Sequence, residues 1–280
     1  MITSTKFVLL GTGTSAGIPV IGCDCATCTS TDPRDRRTRS GAMLQFVDGD
    51  GCARTILLDC PPDHREQSLR EKITRCDAIL FTHDHVDHTF GLDEVRRYNS
   101  LMGTPIEIFA DARTRESIER VFRHIFKRHE NVNDSFVADL MARTIELGKS
   151  IDLFGVRFTP ILLLHGGLPI LGFRIEAIDG SGAVAVEQPG PLPLAYCTDV
   201  KGIPPDSWKH LRGLKTLVLD MLRYRRHPTH FSLDEALGVA AEVGAAQTLF
   251  VHMTHDILHA ECEARLPEGV RLGFDGLSLD

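Results

Sequence analysis

The 280 residues carry a formal net charge of −7, with 31 lysines and arginines against 38 acidic residues. That length suits one large domain or two smaller ones, with a core that needs no disulfides. The acidity argues against broad contact with nucleic acid or an anionic membrane, and the longest apolar runs, "TLVLDML" and "FTPILLL", are too short to cross a bilayer.

The start, "MITSTKFVLLGTGTSAG", lacks a clean secretion pattern and reads as a first strand entering a glycine-rich turn, which makes the expected location cytoplasmic. Gly11, Gly13 and Gly17 match neither a P-loop nor a dinucleotide fingerprint. "AMLQFV" and "RTILLD" read as strands joined by a hairpin turn at "DGDGCA". "HREQSLREKI" reads as a helix, "AILF" as a buried strand, "GLDEVRRYNSLM" as a helix and "PIEIFA" as a strand. The spacing of Ile118, Val121, Phe122, Ile125 and Phe126 predicts a helical segment over about 111–142, laid against a sheet. Its His124 and His129, among arginines and glutamates, read as solvated. Strands resume at "VRFTPILLL", "ILGFRIEA", "LPLAYCTDV", "TLVLDM" and "AQTLFVHM"; "PDSWKHLRG" and "SLDEALGVAAEVG" read as helices, the second capped by Ser232 with Glu235 three residues on. Two sheets with outer helices fit this order better than a strictly alternating pattern.

The densest chemistry is "THDHVDH". His83, His85, Asp87 and His88 follow an apolar run directly. A turn at a strand end can converge all four, and mixed imidazole and carboxylate donors suit zinc, manganese or iron. Four such groups exceed what one tetrahedral metal with an open position needs, which points to two adjacent metals. His165, Asp199 and His252 each follow a further apolar run and complete a strand-end set. Elsewhere Cys23, Cys25 and Cys28 crowd the loop 22–28, at a spacing that suits structural zinc, with His255 as a candidate fourth ligand. Cys52, Cys60, Cys76, Cys197 and Cys262 are scattered and read as small apolar residues.

"THDHVDH" resembles the THxHxDH signature of the metallo-β-lactamase superfamily. The resemblance implies a single α/β domain over 1–280, an αββα sandwich with a dinuclear site on one edge. Carried over, His83, His85 and His165 hold one divalent metal, Asp87, His88 and His252 hold the second, and Asp199 bridges them; Asp59 orients the site from behind. "GTGTSAGIPVIGCDCATC" with the late "HMTH" is similar to the branch typified by the bacterial phosphonate-catabolism phosphodiesterase, where three cysteines and a histidine hold zinc. The implied cofactors are therefore two catalytic manganese or zinc ions and one structural zinc. The implied reaction is attack by a metal-bridging hydroxide on a small cyclic phosphate or nucleotide-like diester, including 5-phosphoribosyl 1,2-cyclic phosphate. Asp87 and Asp199 act in the machinery, and His230, a non-ligand histidine, protonates the departing oxygen. Arg223, Arg225 and Arg226 lie near in sequence and each reads first as part of a solvated basic loop. Expected partners are a small phosphorylated substrate and a second copy of the chain. A thioesterase or a tRNA 3′-end endonuclease of the same fold is the alternative enzyme, and a nucleotide-binding metalloprotein the non-enzyme alternative.

Overall fold

The computed structural model describes residues 2–132 and 136–280. Its strands form two mixed seven-stranded sheets. The first holds Thr3–Gly11 (β1), Gly41–Val47 (β2), Ala53–Leu58 (β3), Ala78–Leu80 (β4), Ile106–Ala110 (β5) and Leu140–Thr144 (β6). The second holds Ile151–Leu153 (β7), Val156–His165 (β8), Leu168–Ala177 (β9), Leu194–Cys197 (β10), Thr216–Asp220 (β11), Gln247–Val251 (β12) and Val270–Leu272 (β13). The last strand, Ser278–Leu279 (β14), returns to pair antiparallel with β1.

Side-chain alternation builds the layers. Along β1, Phe7 and Leu9 enter the core between the sheets, while Val8 and Leu10 face outward into a second core. In β11 and β12, Val218, Leu249 and Val251 point inward, and Leu217, Leu219 and Phe250 point to a third core. A period of two with apolar residues on both faces means that each sheet is covered on both sides. Helices His64–Arg70 (α1), Val86–Thr89 (α2), Arg96–Met102 (α3), Ala112–Val121 (α4) and Arg123–Phe126 (α5) lie in the stretches beside the first sheet. Val95, Tyr98, Ile118, Phe122 and Ile125 join its outer core. Leu233–Val243 (α6) and His259–Glu263 (α7) cover the second sheet through Ala236, Ala240 and Cys262. The result is the αββα sandwich.

Local sequence accounts for several joints. Asp48 closes the β2–β3 hairpin by accepting the amides of Asp50 and Cys52, both at 2.9 Å. Glu235 accepts the amide of Ser232 at 2.9 Å and caps α6. Gly11 is required by close approach: a Cβ there would stand 2.0 Å from the carbonyl oxygen of Arg39. Cys60, Cys76, Cys197 and Cys262 are buried filler, but Cys52 sits exposed in the hairpin and corrects the expectation for that residue.

The helical segment expected over 111–142 is also corrected. Helix continues to Phe126, a 3-10 turn covers Arg128–Glu130, and Leu140 already opens β6; residues 133–135 lie outside the described residues. "PDSWKHL" is a 3-10 helix, Pro205–Leu211. Among the described residues no helix is long and apolar enough to cross a membrane.

Direction matters most for function. β3, β4, β5 and β6 run parallel, as do β10, β11, β12 and β13, and β8 runs antiparallel to β9, itself antiparallel to β10. The loops that leave β3, β4, β8, β10, β11 and β12 carry all the candidate ligands of the "THDHVDH" set and their supports.

Candidate metal centre

Three non-glycine residues at these strand ends adopt left-handed backbone: Asp59 at φ 61°, Asp199 at 58° and His252 at 64°. That region is unfavourable by about 1–2 kcal/mol for a residue with a Cβ. Each follows a strand closely, so the turn redirects the side chain across the sheet edge. Such conformations persist where the surroundings over-determine them, and these three are all buried.

Asp59 organises the first sheet's contribution. Its carboxylate accepts the Thr82 amide at 2.8 Å, the Thr82 hydroxyl at 2.9 Å and His88 Nδ1–H at 2.8 Å. Because the Thr82 hydroxyl donates to Asp59, it accepts from His83 Nδ1–H at 2.9 Å. Both imidazoles thereby turn Nε2 toward the site. From the second sheet, His165 donates Nδ1–H to the Thr229 carbonyl at 2.8 Å, with the same consequence for its Nε2.

The donors converge. Asp199 lies 3.1 Å from His88 Nε2 through one carboxylate oxygen and 3.0 Å from His252 Nε2 through the other. Asp87 stands 3.5 Å from His88 Nε2 and 3.8 Å from His252 Nε2. Asp87, His88, Asp199 and His252 form one set whose ligand atoms all lie within 4.8 Å of one another, and His165, Asp199 and His230 form another. Asp199 belongs to both. The His83 and His85 ring centres are 4.5 Å apart, and those of His85 and His165 are 5.2 Å apart, on the same side as His165. His85 is exposed, and neither His83 nor His85 enters a set at the 4.8 Å limit.

The polar accounting fits a bound cation. Nε2 of His83, His88 and His252 is buried without a hydrogen-bond partner, an arrangement that is unfavourable for bare donors or acceptors. Burial holds His83 and His165 below the ordinary histidine range. Burial opposes charge on Asp87 and Asp199 too, yet the facing imidazoles of His252 and His88 keep both well below the usual carboxylate range. Burial opposes charge on His88 and His252 as well, yet Asp199 raises both above the ordinary histidine range, so a divalent metal taking these nitrogens would displace protons.

One residue escaped the sequence reading. Asp220, the fully buried last residue of β11, accepts the Val200 amide at 3.1 Å, the Phe231 amide at 3.2 Å and His230 Nδ1–H at 3.1 Å on one oxygen. Its other oxygen lies 3.6 Å from His252 Nδ1. Asp220 thus holds the candidate acid by a hydrogen bond and stands beside a candidate ligand. The signal was present: like Asp59 and Asp199, it is an acid at the end of an apolar run.

The cysteine loop meets the last strand end. Cys23, Cys25, Cys28 and His255 form a set within 4.8 Å, with the thiol sulfurs 3.2, 3.6 and 3.6 Å from His255 Nδ1. Tetrahedral zinc with bonds of about 2.3 Å to sulfur and about 2.0 Å to nitrogen spans edges of about 3.5 Å, which these distances match. Arg37, wholly buried, ties the same turn down separately by donating to the carbonyls of Thr254 at 3.1 Å and Ile257 at 2.8 Å. His124 and His129 join no such set; His124 meets Asp93 at the surface.

The fold and this edge define a class. Residues 54–253 match the model of the β-lactamase superfamily domain, and the chain belongs to that superfamily. Within it the chain belongs to the PhnP family: a solved structure described as a new diphosphatase from that family is 38% identical, covers 99% of this chain and 97% of its own, and superposes with a TM-score of 0.85. Zinc-bound PqqB from Methylobacterium extorquens shares the fold at 21% identity, with a TM-score of 0.74 over 98% of this chain and 99% of its own. An octanoyltransferase from Porphyromonas gingivalis is 30% identical over 97% of this chain, which spans only 51% of that longer protein.

Proposed function

We propose that this protein is a metal-dependent phosphodiesterase that hydrolyses small cyclic phosphate diesters. The observation that carries the reading is Asp199, shared between two donor sets beside three orphaned imidazole nitrogens. His83, His85 and His165 would hold one divalent metal, and Asp87, His88 and His252 the other, with Asp199 between them. Zinc and manganese both suit these donors. Bound there, a metal pair supplies Lewis-acid charge for a phosphoryl group and lowers the pKa of water to near neutrality.

The chain's own residues do the rest. Asp59 fixes the ring of His88 directly and that of His83 through Thr82, and the Thr229 carbonyl fixes His165. Asp220 holds His230 by Nδ1, so His230 Nε2 is the atom that gives a proton to the departing oxygen. Cys23, Cys25, Cys28 and His255 would hold a structural zinc, pinning the early loop next to His252. Cys52, Cys60, Cys76, Cys197 and Cys262 pair in no disulfide, which suits a reducing, cytoplasmic setting. A homodimer is part of this reading and is checked by light scattering.

The description of the 38% identical neighbour as a diphosphatase favours a second reading, attack on a phosphoanhydride rather than an ester. Both reactions place the same phosphoryl group over the same metals. The test is a panel of ribose 1,2-cyclic phosphate, nucleoside 2′,3′-cyclic phosphates, ADP-ribose and an acyl thioester, run on protein loaded with manganese or zinc. Preference for the cyclic diesters supports the phosphodiesterase. Preference for ADP-ribose moves the assignment to the diphosphatase, and turnover of the thioester alone removes both.

A further inference from the structure

Three of the candidate histidine ligands are aimed by a hydrogen bond at Nδ1: His83 by Thr82, His88 by Asp59 and His165 by the Thr229 carbonyl. His252 has no such bond. Both of its ring nitrogens are buried without a hydrogen-bond partner, and Asp220 stands 3.6 Å from Nδ1, beyond bonding distance. The direction of this ring is therefore set by its backbone, which is left-handed at φ 64°.

That backbone is clamped on both sides. Before His252, the Val251 carbonyl accepts the Met221 amide at 2.9 Å. After it, the wholly buried Met253 donates its amide to the Thr12 carbonyl at 2.9 Å and accepts the Thr14 amide on its own carbonyl at 3.2 Å. Thr12 and Thr14 belong to the glycine-rich turn "GTGTSAG", whose spacing fits no nucleotide-binding pattern. Gly13 lets this turn lie directly on the chain that leads into β2: its amide donates to the Thr38 carbonyl at 2.8 Å, and a Cβ on it would stand 2.8 Å from the Arg37 carbonyl oxygen.

Asp275 holds the turn in place, 263 residues away in sequence. One of its carboxylate oxygens accepts the Thr12 amide and hydroxyl, both at 2.9 Å. The other accepts the Thr38 amide at 2.8 Å and the Thr38 hydroxyl at 2.6 Å. Four donors fill the lone-pair positions that a carboxylate offers. The side chain is 9% exposed, and Arg70 stands 3.6 Å away. An amide in its place could not accept all four, because one of its ends donates.

We propose that Asp275 is a positioning residue for the metal centre: through Thr12 and Met253 it fixes the turn that aims His252 at the second metal. This gives the glycine-rich turn a role in place of nucleotide binding. The proposal rests on the two-metal reading and is independent of the substrate that is cleaved.

Calorimetric titration of manganese into chelator-treated full-length protein, with elemental analysis, tests it without any substrate. The wild type should show two manganese-binding events beyond the retained zinc. Asp275→Asn keeps the size of the side chain and turns an NH2 group on two of the four donors. It should weaken one event by about tenfold or more and leave the other unchanged, because His252 belongs to one metal only. His252→Ala should abolish the event that Asp275→Asn weakens. Thr12→Val, which removes one hydroxyl donor and keeps the amide, should weaken the same event by less, and Thr12→Ser should bind as the wild type does. Equal weakening of both events, unchanged binding of both, or loss of the other event in His252→Ala overturns the proposal. If Asp275→Asn does not fold, Thr12→Val decides by the same criteria. Fewer than two manganese events in the wild type would bring down the two-metal reading and the proposal with it, whereas equal weakening in the variants removes the proposal and leaves that reading standing.

Discussion

Asp199 is the residue on which the site depends most. It joins both donor sets, faces His88 and His252 at 3.1 and 3.0 Å, and is held by left-handed backbone. Asp199→Asn removes a charge and one ligand oxygen while preserving shape. It should lower diester turnover by more than about a hundredfold, beyond the 10–100-fold typical of a group that only supports a ligand. Normal turnover with normal metal content would sink its bridging role. Asp220→Asn should fall within that supporting range. His230→Ala should keep the catalytic metals, slow alkoxide-leaving substrates by about 10²–10⁴-fold, and barely slow p-nitrophenyl esters, whose departing oxygen needs no proton. Loss of metal in His230→Ala, measured by elemental analysis, would make it a ligand. The candidate ligands were legible because a histidine or aspartate closing an apolar run is uncommon, and His83, His165, Asp199 and His252 all do so, the first opening the "THDHVDH" cluster. Asp220 was passed over although it too ends an apolar run, because "TLVLDML" turns apolar again directly after it; its meaning lies in His230 from its own loop and in Val200 and His252 from two others.

Among the elements, the cysteine loop and the turn after β12 are fastened twice, by the Cys23–Cys25–Cys28–His255 set and by Arg37. Cys25→Ser should therefore cost about one zinc per chain and lower the melting temperature, while Arg37 preserves part of the turn. Since His255 lies three residues from His252, turnover should fall as well. Unchanged zinc content would discard the structural site. The elements themselves were readable where periodicity was strong, as in β8, β12 and α6. They were not readable near residue 140. There Val137, Ala138, Leu140 and Ala142 add to the same outer core as the preceding helices, so the apolar count continues while the backbone has become a strand that, among the described residues, pairs only with β5. Burial along β6 is too partial to imprint an alternating pattern.

At the scale of the whole molecule, stability should depend on pH through a histidine outside the donor sets. His64 in α1 is buried beneath Tyr98 and Ser68, and burial lowers it from 6.5 to about 4. Between those values the unfolded chain binds the proton and the folded chain does not, so stability falls as pH falls from about 7 toward 4. Between pH 7 and pH 5 the loss from this group is on the order of 2 kcal/mol. His64→Gln should flatten that part of the profile in denaturant unfolding of metal-loaded protein, and an unchanged slope would show that His64 titrates normally.

Metal content and diester cleavage should rise together, and one titration reads both. Protein treated with a mild chelator is assayed for cleavage of ribose 1,2-cyclic phosphate while manganese is added back, with elemental analysis at each point. The structure predicts about one zinc retained throughout at the cysteine site, no activity at the start, and full activity when about two further metals are bound. Full loading of the site without any cleavage of the diester, or activity that survives complete removal of the added metal, would contradict the account.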